Sequence, residues 1–137
     1  RRWPLVRSRT LRLLLVTTVL WLCASAAAAA SLKLGTVLPG WDELRSGSLH
    51  SAATRLVGDY SAQVRHFCVQ PEVFMLAARS LPDARSAYEA TLPSASRQRL
   101  LVDAADQRVT MVMTPTSTQE VMAVLALTDG GVVLILC

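Results

Sequence analysis

The sequence predicts an α+β protein: four short helices followed by a small antiparallel β meander, preceded by an N-terminal signal peptide. Three observations carry this expectation. A basic and then apolar leader ends in small residues, prolines punctuate the first half at short intervals, and β-prone apolar runs separated by turn residues fill the second half.

The leader comes first. Arg1, Arg2, Arg7, Arg9 and Arg12 precede an eleven-residue apolar run, Leu13 to Cys23, broken only by Thr17 and Thr18. Small residues follow from Ala24 to Ser31, with Ala-x-Ala frames such as Ala24-Ser25-Ala26 and Ala28-Ala29-Ala30. A basic region, a short apolar core and a small-residue exit form the layout of a secretory signal peptide, here residues 1–30. The rival reading is an uncleaved anchor, because the eighteen residues from Leu13 to Ala30 fall at the short end of the roughly 17–25 needed to span a bilayer. Alanine fills the second half of that stretch and contributes little to insertion, which favours cleavage. Arg1-Arg2 lacks the residues that complete a twin-arginine signal, and Leu22 is too bulky to precede a lipidated Cys23.

Removing the leader changes the electrostatics. The whole chain carries a formal net charge of +4. Five of its fourteen Lys and Arg lie in residues 1–30, and all ten Asp and Glu lie after them, so nine cations against ten anions leave a net −1 for residues 31–137. The remaining arginines, among them Arg45, Arg55, Arg65, Arg79 and Arg85, are spaced singly. Nucleic-acid binding requires several clustered cations on successive phosphates, so no nucleic-acid partner is expected.

The order of elements follows from punctuation. Residues 31–40 read as a linker, with Gly35 and the turn dipeptide Pro39-Gly40. Residues 41–137 then form one small domain. From Trp41, apolar residues recur near helical spacing at Leu44, Leu49, Ala52, Leu56 and Tyr60, with Asp42 and Glu43 in the favourable first turn. Gly47 and Gly58 weaken this helix. A second helix over Ser61 to Val69 must stop before Pro71, which disfavours the α conformation in the residue preceding it. Pro71 suits the first turn of a third helix, Glu72 to Ser80, and Pro82-Asp83 suits a fourth, Ala84 to Leu92, ended by Pro93.

The period then changes. Leu100 to Val102 and Val109 to Met113 flank a polar turn at Asp103 to Arg108, and Val121 to Leu127 and Val132 to Leu136 flank Thr128-Asp129-Gly130-Gly131. Asp-Gly between two apolar runs predicts a hairpin whose type I′ turn needs positive φ at both central residues. Ser117 to Glu120 also fits a helix capping box, but Val124 and the close Asp-Gly turn favour a strand. The last run, Val132 to Leu136, does not alternate, so it requires cover on both faces. The linker or a second copy, in a homodimer through this C-terminal strand, would supply the second cover.

Chemistry is sparse. His66-Phe67-Cys68 places two donors two residues apart, with His50 upstream, but no zinc spacing results and a helix would point residues 66 and 68 apart. A nucleophile at Cys68 served by His66 or His50 needs a third orienting group that the sequence does not identify. Ser46-Gly47-Ser48 is not a nucleophile elbow. Asp103 and Asp106 lack the dense oxygen set that calcium requires, and Gly130-Gly131 lacks the helix N-terminus of a phosphate cradle. Met111, Met113 and Met122 read as core filling. No catalytic residue, metal site or cofactor is therefore expected. Cys23 leaves with the leader, so Cys68 and Cys137 remain as a candidate disulfide in an oxidising compartment.

Together these readings describe a secreted or periplasmic protein of the cell envelope with a non-enzymatic binding or accessory role toward a protein partner. Two alternatives stay open: a membrane-anchored accessory subunit that retains residues 13–30, and a small envelope enzyme using Cys68 or His66.

Overall fold

The computed structural model describes residues 28–93, 98–104 and 108–137. The arginines and apolar core of the leader, Cys23 and Asp106 lie outside the described residues. Within them the chain forms eight strands and two helices, in the order β1 (Ala29–Ser31), β2 (Thr36–Leu38), β3 (Asp42–Glu43), α1 (Ser48–Val64), β4 (Glu72–Leu76), α2 (Leu81–Glu89), β5 (Arg99–Ala104), β6 (Val109–Pro115), β7 (Glu120–Thr128) and β8 (Gly131–Leu136). Six strands build one antiparallel sheet in the order β3-β4-β8-β7-β6-β5, and β1 and β2 form a separate hairpin. This overturns the expectation of four helices and a small meander: the protein is mostly β, with a helix on each face of the large sheet.

The sheet has two apolar faces because its central strands have no polar side. Along β8, Val133 and Ile135 join Val73, Met111, Met113, Met122 and Val124 in the core under α1. The alternate residues Val132, Leu134 and Leu136 join Phe74, Val112, Ala123 and Leu125 in the core under α2. Every residue of β8 is buried. The strand lies between β4 and β7, paired to both along its length. Both covers it requires therefore come from its own chain, and neither of its edges is open to a second copy.

The first two expected helices become one. Gly47 sits at φ 101°, a conformation that a residue with a side chain rarely adopts, and α1 starts immediately after it. Trp41 and the short β3 lie upstream in extended chain. The helix buries Ala53 and Val57, with Leu49, Leu56, Tyr60 and Val64 partly buried beside them, the i, i+3, i+4 stripe of a helix lying on a sheet. It ends at Arg65, which adopts the left-handed conformation (φ 56°) while its N–H donates to the Ser61 carbonyl. Residues 66–69, expected to continue a helix, are irregular.

The third expected helix is a strand. Val73-Phe74-Met75-Leu76 is a short apolar run without a period, which fits a buried strand and a buried helix turn equally well. In the fold it is β4, with Val73 on the α1 face and Phe74 on the α2 face. Pro71 precedes the first paired residue, Glu72, so its missing N–H breaks no ladder bond. The fourth expected helix survives, shifted toward the N-terminus. Ser80 caps it by accepting from the Asp83 N–H at 3.3 Å, with Pro82 in the first turn, and it buries Leu81, Ala84 and Tyr88.

The segment expected to be a linker is built into the fold. Ala29 and Ala30 pair with Leu38 and Val37. Gly35, at φ 66°, turns the hairpin, and its N–H donates to the Ser31 carbonyl at 3.0 Å. Leu38 and Trp41 are buried in the α2-side core. The second half of the sequence lies where its pattern places it. The β7–β8 hairpin closes with Thr128 opposite Gly131, and Glu120–Thr128 is a strand, not a capped helix. Its turn is not type I′, because positive φ falls on Gly131 (φ 141°) and not on Asp129 or Gly130.

Candidate functional site

Among the described residues, no group of three or more His, Cys, Asp or Glu could hold a metal ion. The candidate ligands and nucleophiles are distributed as follows. His50 lies in the first turn of α1 and His66 just beyond its other end. At 1.5 Å per residue, the fourteen residues from His50 to Val64 put about 21 Å between them. His50 therefore does not serve Cys68.

His66 and Cys68 do come together with Cys137, but around a structural tie. Cys68 and Cys137 are joined as a disulfide, with their Cα atoms 5.2 Å apart. The Cys137 carbonyl accepts from the Met122 N–H at 2.9 Å, and His66 Nε2 lies 3.0 Å from the same oxygen. An oxygen of that kind only accepts, so Nε2 carries the proton. In this state the Cys68 sulfur has no thiolate to attack with, and the imidazole is engaged by backbone.

The tie shapes the surface around it. It pins the 65–71 loop to the end of the sheet where β8 finishes and β4 begins. The β1–β2 turn is held against the same end. The Glu72 carboxylate accepts from Ser31 Oγ (2.8 Å), the Leu32 N–H (2.9 Å) and the Lys33 N–H (3.0 Å). Lys33 Nζ donates to the Val69 carbonyl at 2.9 Å, joining turn and loop directly. Large apolar side chains remain outside: Leu32 is 92% exposed, Phe67 87% and Val69 51%. These three side chains form the candidate interaction surface of the described residues. The helix expected over residues 61–69 would have turned Phe67 inward, and no signal in the sequence shows that the loop presents it to solvent.

The opposite end carries a concavity. An open cleft of about 590 Å³ lies beside the β7–β8 turn, with Arg79, Arg108 and Asp129 on its walls. Gly131 forms part of its floor, and a Cβ there would overlap the carbonyl oxygen of Leu76. The cleft mixes both signs of charge and holds no buried polar atom without a partner. No candidate residue from the sequence is positioned there except Gly130 and Gly131, which make a hairpin and not a phosphate cradle.

No helix among the described residues is long and apolar enough to cross a membrane. Compared with protein-family models, curated proteins and solved structures, the chain matches none.

Proposed function

We propose that the chain is an exported, non-enzymatic binding or accessory protein of the cell envelope or periplasm. The observation that carries this reading is the Cys68–Cys137 pair. It links the loop bearing Phe67 to the end of the central strand β8, and disulfides of this kind persist in oxidising compartments. The basic-apolar-small leader supports the same compartment, and the exposed apolar end supports binding as the activity. A net charge of −1 after residue 30 argues against nucleic acid as the partner.

The experiment is cell fractionation followed by intact-mass measurement without reductant. The expected result is a shortened chain in the exported fraction whose mass carries one disulfide and no free thiol. Recovery from the cytoplasm with both thiols free would sink the reading. The anchored alternative predicts a full-length chain in a carbonate-resistant membrane pellet. The enzymatic alternative, through Cys68 or His66, predicts that reduction creates an activity which alkylation of Cys68 then abolishes.

A further inference from the structure

The two halves of the Cys68–Cys137 bond do not stand in equivalent surroundings. Cys137 is buried, at 7% exposure, in the core beneath α1. Its backbone is held on both sides. Its N–H donates to the Met122 carbonyl at 2.9 Å, and its own carbonyl accepts from the Met122 N–H and from His66 Nε2. Cys68 lies at the margin of that core, only partly buried, on the irregular stretch 66–69. The residues before and after it, Phe67 and Val69, are both exposed.

A disulfide exchanges when a thiolate attacks one sulfur and expels the other as a thiolate. The attacking, attacked and leaving sulfurs lie in line, so the attacked sulfur needs open space on the side away from its partner. Cys137 is packed among apolar side chains of the core, and the bonds on its backbone keep it from swinging outward. Cys68 has no such confinement, because its loop meets solvent on either side of it. Access therefore separates two sulfurs that are otherwise chemically alike.

We propose that Cys68 is the exchange site of the protein, the sulfur through which an external thiol opens the bond and an external disulfide closes it. A low-molecular-weight thiolate such as glutathione attacks Cys68 Sγ. A new S–S bond forms there, and Cys137 Sγ leaves with the electron pair of the broken bond. A second thiolate then removes the first from Cys68, so two thiols become one disulfide while the protein gains two electrons and two protons. In reverse, a disulfide-bearing oxidant joins Cys68 first, and the Cys137 thiolate displaces it to close the bond. This goes beyond the exported-binding reading, because it holds for the folded chain in any compartment.

The test is to expose the folded, oxidised protein to reduced glutathione, quench the exchange in acid and map the adduct by peptic digestion and mass spectrometry. Glutathione is expected on Cys68 in excess of Cys137 by about tenfold or more. The same reaction on the denatured chain should lose that preference, because unfolding opens both sulfurs equally. An adduct chiefly on Cys137, or equal adducts on both in the folded protein, overturns the proposal. So does a folded protein that forms no adduct where the denatured chain forms one. Single-cysteine variants give a second readout. The thiol left in Cys137→Ser should react with a chromogenic aromatic disulfide about tenfold or more faster than the thiol left in Cys68→Ser. Equal rates in two variants that circular dichroism shows to be folded would overturn it as well. Where either variant is unfolded, the adduct map of the wild-type protein decides.

Discussion

The hydroxyl of Tyr88 lies 2.6 Å from the hydroxyl of Thr114, joining α2 to β6 through a bond that is wholly inside the protein. Both residues are buried, Tyr88 at 0% exposure and Thr114 at 1%. Neither group has water as an alternative, so each satisfies the other, and the pair fixes the position of the helix on its face of the sheet.

Tyr88→Phe leaves the Thr114 hydroxyl buried without its partner. The expected loss is about 1–2 kcal/mol, read as a lower denaturant midpoint with unchanged slope. Tyr88→Phe combined with Thr114→Val should recover part of it. An unaltered midpoint in the single variant would show that the bond contributes nothing.

Burial, opposed in part by the Thr114 hydrogen bond, pushes the Tyr88 phenol up to about 12. The unfolded phenol titrates near 10, so between these values the unfolded state loses a proton that the folded state keeps. Stability is then fully present below about pH 10 and falls as pH rises toward about 12, by an amount on the order of 2 kcal/mol. Ultraviolet titration should show one tyrosine ionising late, at the pH where the fold is lost. Ionisation of Tyr88 near 10 with the fold intact would contradict this.

Two glycines should respond oppositely to alanine. Gly131 has φ 141° and faces the Leu76 carbonyl, so Gly131→Ala should destabilise by roughly 2–4 kcal/mol. Gly58 lies inside α1 with nothing within 4 Å of an added Cβ. Gly58→Ala should therefore stabilise by about 0.5–1 kcal/mol through helix propensity alone. Thermal melts of both variants decide it, and shifts of the same sign would refute the assignment.

Removing the disulfide with Cys68→Ser opens a link between residues 69 apart in sequence. In the chain-entropy model a loop of that length is worth about 4 kcal/mol, a fall in Tm of roughly 15–20 °C for a domain of this size. Melting the wild-type protein with and without reductant gives the same comparison. A shift of only a degree or two would mean that the β-ladder positions Cys137 without help from the bond.

If the leader is cleaved as proposed, β1 constrains the site. Ala29 and Ala30 are paired with β2, and Ala29 packs on the α2-side core. A cut that leaves the mature chain starting at Ala27 to Ala29 keeps these contacts, whereas a start at Ser31 discards two of the three pairs. N-terminal sequencing of the exported protein should find the earlier start. A homogeneous start at Ser31 would show that β1 is dispensable.

Much of the second half was legible from local pattern. Asp129-Gly130 between apolar runs announced the β7–β8 hairpin, the run from Val109 to Met113 announced β6, and the unbroken apolarity of Val132 to Leu136 demanded cover on both faces. Each of these is a property of neighbouring residues, so the sequence alone determined it. Cys68 and Cys137 were legible as a candidate pair by elimination, but their approach to 5.2 Å depends on β8 ending beside the loop that follows α1. The fate of Val73 to Leu76 was decided only by tertiary structure. Four residues hold too little period to separate helix from strand, and the choice falls to the strand because β3 and β8 offer hydrogen bonds on both edges while each face meets an apolar layer. Phe67 follows the same rule in reverse: its neighbours His66 and Cys68 are held by Cys137, and those two distant contacts leave its side chain in solvent despite its apolarity.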